Sequence, residues 1–143
     1  MAKIKINTGV KRYEIEDENG EPLGVVSVNV TDFNIIDRIV KAKEEISKLV
    51  ERVQTDISSA QTIEEKGRIM AEIDAAIKRE LDYMFDSNVS ETVFGNKSCL
   101  SVCGGQLLIT NFIAGIIPVI EKDISKARKE SQDRTGKYLN GYR

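Results

Sequence analysis

"TDFNIIDRIVKAKEEISKLVERVQTDISSAQTIEEKGRIMAEIDAAIKRELDYMF" (residues 31–85) carries two apolar stripes of helical period, and every other element has to be fitted around them. In its first half Ile35, Ile39, Ala42, Ile46, Leu49, Val53 and Ile57 recur every three or four residues, which draws a single stripe along a long helix. Lys41, Lys43, Glu44, Glu45, Lys48 and Glu51 fall largely off that stripe. Thr31 and Asp32 each have a side-chain oxygen suited to capping the first turn. "SSAQ" (58–61) breaks the period, and "TIEE" (62–65) reads as a capping box, with Thr62 accepting from early amides and Glu65 reaching back. The second half continues with Ile69, Met70, Ile73, Ala76, Ile77, Leu81, Met84 and Phe85. Two long stripes joined by a short polar link predict an antiparallel helical hairpin. Gly67, near the start of the second helix, costs about 1 kcal/mol relative to alanine and favours fraying there.

Upstream the period is two. "RYEIED" sets Tyr13, Ile15 and Asp17 against Arg12, Glu14 and Glu16, and "GVVSVNV" sets Val26, Val28 and Val30 against Val25, Ser27 and Asn29. Between them "ENGEP" contains Asn19-Gly20, which accepts the positive backbone angles of a tight turn. A β-hairpin over about 11–30 follows. Two strands are marginal alone, so "KIKIN" (3–7), a candidate third strand, or the helices must cover one face.

Downstream, "NVSETVFG" (88–95) reads as a short third helix, with Asn88 as cap, Glu91 closing the box and Gly95 ending it. A fourth helix starts near Gln106. Pro118 removes its bond to the carbonyl of Ala114, which predicts a kink. From Ser125 onward "SKARKESQDRTGKYLNGYR" has six basic and two acidic residues, and a flexible tail is expected over 131–143. The expected fold is α+β, mostly α: an N-terminal hairpin (1–30), then a helical region (31–130) with a helical hairpin, a short helix and a kinked C-terminal helix. At 143 residues this is a single domain over 1–143, burying about 70% of its unfolded surface.

Composition excludes several kinds of chemistry. The chain is 41% hydrophobic and 31% charged, has no histidine and no tryptophan, and carries a net charge of -2. Without imidazole the commonest general base and metal ligand near neutral pH is missing, and no global positive field draws the chain to nucleic acid. The start, "MAKIKINTGVKRYE", lacks the apolar run of a signal peptide. "QLLITNFIAGIIPVI" (106–120) is shorter than the roughly 20 residues a bilayer needs and contains Asn111 and Pro118. These features predict a cytoplasmic protein, off the membrane, with both cysteines reduced.

The segment "NVSETVFGNKSCLSVCGG" (88–105) looks most like a site, yet each chemical reading of it fails. Cys99 and Cys103 are separated by three residues rather than two, and two thiols fill only half a zinc shell. They read as small semi-buried apolar residues. "DSNVSETVFGNK" (86–97) imitates a calcium loop, but Glu91 stands where glycine is required and Lys97 where a bidentate glutamate is required. The sequons at Asn29, Asn88 and Asn96 matter only in a secretory pathway. No phosphate-binding glycine pattern is present. Asp82 with Asp86 reads as ordinary surface charge, and a serine triad has no base. Lys126, Arg128, Lys129, Arg134 and Lys137 could touch phosphate, with Tyr138 and Tyr142 to stack, but Glu130 and Asp133 interrupt them; they read as a helix end complementing its own dipole. No cofactor, metal or catalytic residue is assigned. What remains is stickiness: Phe94, Leu100, Val102, Leu107, Phe112 and the expected kink at Pro118 form the candidate docking neighbourhood, chosen for apolarity beside a glycine-rich corner.

Three stretches resemble the small tail assembly chaperones of long-tailed phages and prophages of Gram-positive bacteria. "INTGVKRYEIEDENGEPLGVVSVNVTD" (6–32) is similar to their opening strand–turn–strand, with a G-x-x-x-Y-x-I-x-D-x-x-G pattern. After a charged helix pair, "LDYMFDSNVSETVFGN" (81–96) resembles I-D-x-x-F-x-x-N-V-S-x-x-x-F-G. "CGGQLLITNFIAGIIPVIEKDISK" (103–126) resembles a G-G-x-x-x-x-x-N-F-I-x-x-I-x-P-x-I closing helix with a basic tail. The two cysteines depart from that pattern. The resemblance implies a protein that is no enzyme and binds the long helical tape measure protein before the tail tube forms around it. It also implies recruitment of tail tube subunits, absence from the finished virion, and, in some cases, a second product made by ribosomal frameshifting. Two other readings stand beside it: a permanent tail component such as a tube or completion protein, and a nucleic-acid-binding regulator acting through the basic tail. A homo-oligomer is expected from the hairpin edge and the two long stripes.

Overall fold

A computed structural model describes residues 1–140, with side chains placed for 1–134. Strand β1 (Val10–Glu16) pairs antiparallel with β2 (Pro22–Asn29), from Val10 opposite Asn29 to Glu16 opposite Pro22, with one irregularity between Ile15 and Glu16. Asp17 builds the turn: its Oδ1 accepts from the amides of Asn19 at 2.8 Å and Glu21 at 3.0 Å, and Gly20 takes φ 80°. Val26, Val28 and Val30 are buried on the inner side, where Tyr13 and Ile15 are half-buried. Residues 1–9 form no strand. "KIKIN" therefore does not cover the hairpin within the chain; the helices do.

Helices α1 (Asn34–Ser59) and α2 (Ile63–Phe85) form the expected hairpin. Asp32 Oδ1 accepts from the Asn34 amide at 3.1 Å at the start of α1. The capping box at α2 is present: Thr62 Oγ1 accepts from Glu65 N–H at 3.1 Å, while Glu65 reaches one residue further back than expected, to the amide of Gln61 at 3.0 Å. Ile35, Ile39, Ala42 and Ile46 of α1 and Ile73, Ile77, Leu81 and Met84 of α2 are buried. Leu49, Val53, Ile69 and Met70 are only partly so. Burial thus fades toward the tip of the hairpin, where each helix has only the other to lie against.

Helix α3 (Val89–Phe94) is held from outside. Asn88 makes no capping bond to its backbone; its Nδ2 donates to Glu91 at 2.7 Å instead. The cap is Asp82 of α2, whose Oδ1 accepts from the Ser90 amide at 2.8 Å and Oδ2 from the Ser90 hydroxyl at 2.9 Å. Asp82 is therefore a structural acceptor rather than idle surface charge, because the left-handed Asp86 (φ 49°) turns the chain and brings α3 back against it.

Strands β3 (Val102–Cys103) and β4 (Gln106–Leu107) make a minimal hairpin closed by Gly104 and Gly105, at φ 64° and 84°. Helix α4 (Leu108–Asn140) follows without a break. It buries Ile109, Phe112, Ile116, Ile117, Ile120 and Ile124 in the same core, and Arg128 lies 5.3 Å above the Phe33 ring at the start of α1. The helix runs through Pro118. It also runs through most of the stretch expected to fray: over 131–140 the backbone is helical, and Gln132 and Arg134 in this segment are straight-chain residues that lose little freedom in a helix. Residues 141–143, and the side chains of Lys137 and Tyr138, lie outside those described. No described helix is long and apolar enough to cross a membrane.

Candidate functional site

A groove of about 1030 Å³ lies between β1 and α4. One wall is formed by Tyr13, Glu14, Ile15, Glu16, Asp17 and Glu18 in unbroken succession. Alternate residues of a strand point to opposite faces, so a run that includes both sets presents the edge of β1 rather than a face. Among the described residues β1 pairs only with β2, which leaves that edge unpaired. The floor is one side of α4, with Leu108, Asn111, Phe112, Gly115, Ile116 and Val119 at helical spacing. Leu23, Val93, Lys97, Cys103 and Gly104 complete the lining.

The groove is tied at its Tyr13 end. Tyr13 Oη donates to Asp123 Oδ2 at 2.6 Å and Lys11 Nζ donates to the same oxygen at 2.9 Å, clamping β1 onto α4. Burial, and then the hydrogen bond to Asp123 and its charge, raise the tyrosine hydroxyl well above its ordinary pKa. The hydrogen bonds from Tyr13 and Lys11 hold the Asp123 carboxyl below its own. The lip is acidic: Glu14, Glu16 and Glu18 are exposed and enter no ion pair among the described residues, and Lys97 is the single cationic side chain in the lining. An apolar floor, an open strand edge and an anionic lip are features by which a groove can take a polypeptide through its backbone and side chains together.

The opposite wall is held by α2. Asp74 Oδ1 accepts from the Cys99 amide at 2.8 Å, Asp74 Oδ2 lies 3.1 Å from Lys78 Nζ, and Lys78 in turn donates to the Lys97 carbonyl at 2.9 Å. Burial works to raise the Asp74 carboxyl, but the bonds from Cys99 and Lys78 together outweigh it and hold the group below its ordinary value. The Cys99 thiol is fully buried, and burial followed by the nearby Asp74 carboxylate raises its pKa far above the thiol range. Asn111 Nδ2 fastens the small hairpin to α4 through the Cys103 carbonyl at 2.9 Å. Both cysteines are free. The described residues contain no group of three side chains able to hold a metal ion.

The six residues of the expected docking neighbourhood separate. Phe94, Leu100 and Phe112 belong to the core; Phe112 meets Phe94 and Phe85 edge-on at 5.9 and 6.5 Å between ring centres. Packed this way, Phe94 and Leu100 cannot also present a surface. Val102 is 72% exposed, Pro118 is exposed and Leu107 is half-buried, but none of the three lines the groove, and of the six only Phe112 reaches its floor. Sequence reasoning missed Ile15, Leu23, Ile116 and Val119. A usable signal was present: "QLLITNFIAGIIPVI" is apolar on more sides than one core contact requires.

No family model, curated protein or solved structure matches the chain.

Proposed function

We propose that this chain is a tail assembly chaperone of a phage or prophage, acting in the bacterial cytoplasm without catalysis. In this reading it shields an apolar stretch of the tape measure protein in the groove between β1 and α4 until the tail tube polymerises. One observation carries it. Every groove-lining residue except Lys97 comes from the three stretches, 6–32, 81–96 and 103–126, that carry the resemblance to such chaperones. Those stretches are far apart in sequence, yet they converge on a single apolar surface. An elongated client with repeated apolar faces aggregates unless covered, and an open groove covers without consuming anything.

The test is co-expression with fragments of the tape measure protein encoded in the same genome. Leu23→Asp and Val119→Asp place charge at groove positions that are already partly exposed, so the variants should fold and lose capture. A folded wild-type chain that captures no fragment overturns the reading. The free edge of β1 also favours a permanent tail component whose subunits pair edge to edge; a stoichiometric band of this chain in purified tails would select that alternative.

A further inference from the structure

Residues 1–9 form an arm that, among the described residues, belongs to no helix and pairs with no strand. Lys3 and Lys5 alternate with Ile4 and Ile6, and the two isoleucines are 88% and 76% exposed. Apolar β-branched residues on one side of an extended backbone and charges on the other form the pattern of a strand half-buried on a sheet. Among the described residues nothing covers the two isoleucines. The arm's point of departure is fixed: the Thr8 carbonyl accepts from Asn29 Nδ2 at 3.0 Å and from Thr31 Oγ1 at 3.4 Å. Gly9, at φ 80°, lies so close to Thr31 that a Cβ there would overlap its side chain.

The edge of β1 has the complementary pattern. Tyr13 and Ile15 face inward, next to the apolar floor of α4, and Glu14 and Glu16 face outward without ion pairs among the described residues. A strand added with Ile4 and Ile6 inward sets Lys3 and Lys5 on the same face as the two glutamates, where opposite charges on neighbouring strands attract. We propose that the arm of a second copy of this chain occupies the groove as a third strand. It is hydrogen-bonded to β1, with Ile4 and Ile6 over α4 and Lys3 and Lys5 against Glu14 and Glu16. The chain's own arm is directed elsewhere, because Thr8 is fastened to Asn29 and Thr31 on the β2 side and would have to leave both to reverse onto β1. Reciprocal exchange closes a dimer; one-way exchange extends a chain of subunits. The inference stands whatever client the groove serves, and such a client would compete with the arm for the same surface.

Sedimentation equilibrium of the full chain alone tests it. Association is expected in the wild type and should weaken as salt is raised. Ile4→Asp with Ile6→Asp should raise the dissociation constant by about 100-fold with no loss of melting temperature, since neither side chain is buried in the single chain. Glu14→Lys with Glu16→Lys should also dissociate the protein, and adding Lys3→Glu with Lys5→Glu should restore association. A wild type that stays monomeric at millimolar concentration overturns the proposal, as does association that survives the isoleucine changes. Arm amides protected from hydrogen exchange in a species that sediments as a monomer would place the arm on its own groove, and equally overturn it.

Discussion

Asp74→Ala removes the acceptor that holds the 97–103 wall against α2. In the wild type Asp74 Oδ1 takes the Cys99 amide at 2.8 Å, and Oδ2 pairs with Lys78 at 3.1 Å, in a place where both side chains are about four-fifths covered. Hydrogen bonds to a charged group contribute roughly 1.5–3 kcal/mol, and a buried amide left without a partner costs about as much as a lost bond. The Lys78 pair adds little beyond this because it keeps some contact with solvent. The expected loss is about 2–3 kcal/mol, equivalent to about 6–10 °C in Tm for a chain of this size. Urea unfolding at pH 7 should show the midpoint lowered with the slope unchanged. The Asp74 carboxyl has its pKa depressed in the folded state, so its contribution is complete above the unfolded carboxylate value and is lost as pH falls through the folded one. The gap between wild type and Asp74→Ala should therefore hold from neutral pH down to about 4 and narrow below it. Asp74→Asn keeps an acceptor for the Cys99 amide and should lose only about 1 kcal/mol. An alanine variant within about 0.5 kcal/mol of wild type at pH 7, the range of ordinary surface changes, would refute the account of how this wall is held.

Ile77→Ala, at a position with no exposure, should lose about 2–5 kcal/mol in the same unfolding assay, while Ile63→Ala at the exposed start of α2 should stay within about 0.5 kcal/mol. Gly9→Ala forces a Cβ against Thr31 at a positive φ and should cost about 1–3 kcal/mol; in a Thr31→Gly background, which removes the Thr31 Cβ as well as its outer atoms, the overlap is relieved and the cost should fall to about 1 kcal/mol, which a double-mutant cycle measures. Under native conditions a thiol reagent should modify Cys103, which is partly exposed, well before Cys99, which is buried and hydrogen-bonded to Asp74; equal rates would contradict the packing of the 97–103 segment.

The fold was largely legible because its main elements are periodic. The stripe from Ile35 to Ile46 and the one from Ile73 to Phe85 are the buried faces of α1 and α2, and the Thr62–Glu65 signature is a working cap. Elements governed by tertiary contacts were harder to read. The α3 cap comes from Asp82, eight residues before the amide it serves, so a rule that looks for Asn88 beside its own helix finds the wrong group. Gly104-Gly105 reads only as part of a glycine-rich corner, although two such glycines between short segments are a signature of a two-residue β-turn, and the chain makes that turn. The site was the least legible part. Apolarity alone cannot separate Phe94, which packs on Phe112, from Val119, which faces the groove; that choice depends on which side of α4 the hairpin leaves uncovered.

The unpaired edge and the exposed arm have a common physical origin. A sheet of two strands cannot cover both its own inner face and the width of α4. Here β2 is backed by α3, with Gly24 close enough to Thr92 that a Cβ would strike it, so the shortfall falls entirely on the β1 side. Tyr13 and Asp123 tie that side to α4 at one end, and beyond the tie the floor stays open. The amphipathic "KIKIN" segment has only the polar half of its pattern satisfied by solvent: its lysines can be hydrated, but Ile4 and Ile6 are not covered. Exposed apolar edges are normally blunted by charge, proline or a covering element. Glu14, Glu16 and Glu18 supply the charge, and the same charge selects a lysine-bearing strand over an acidic one. The lip thus guards the groove against indiscriminate pairing while leaving it open to the segment whose alternation matches it.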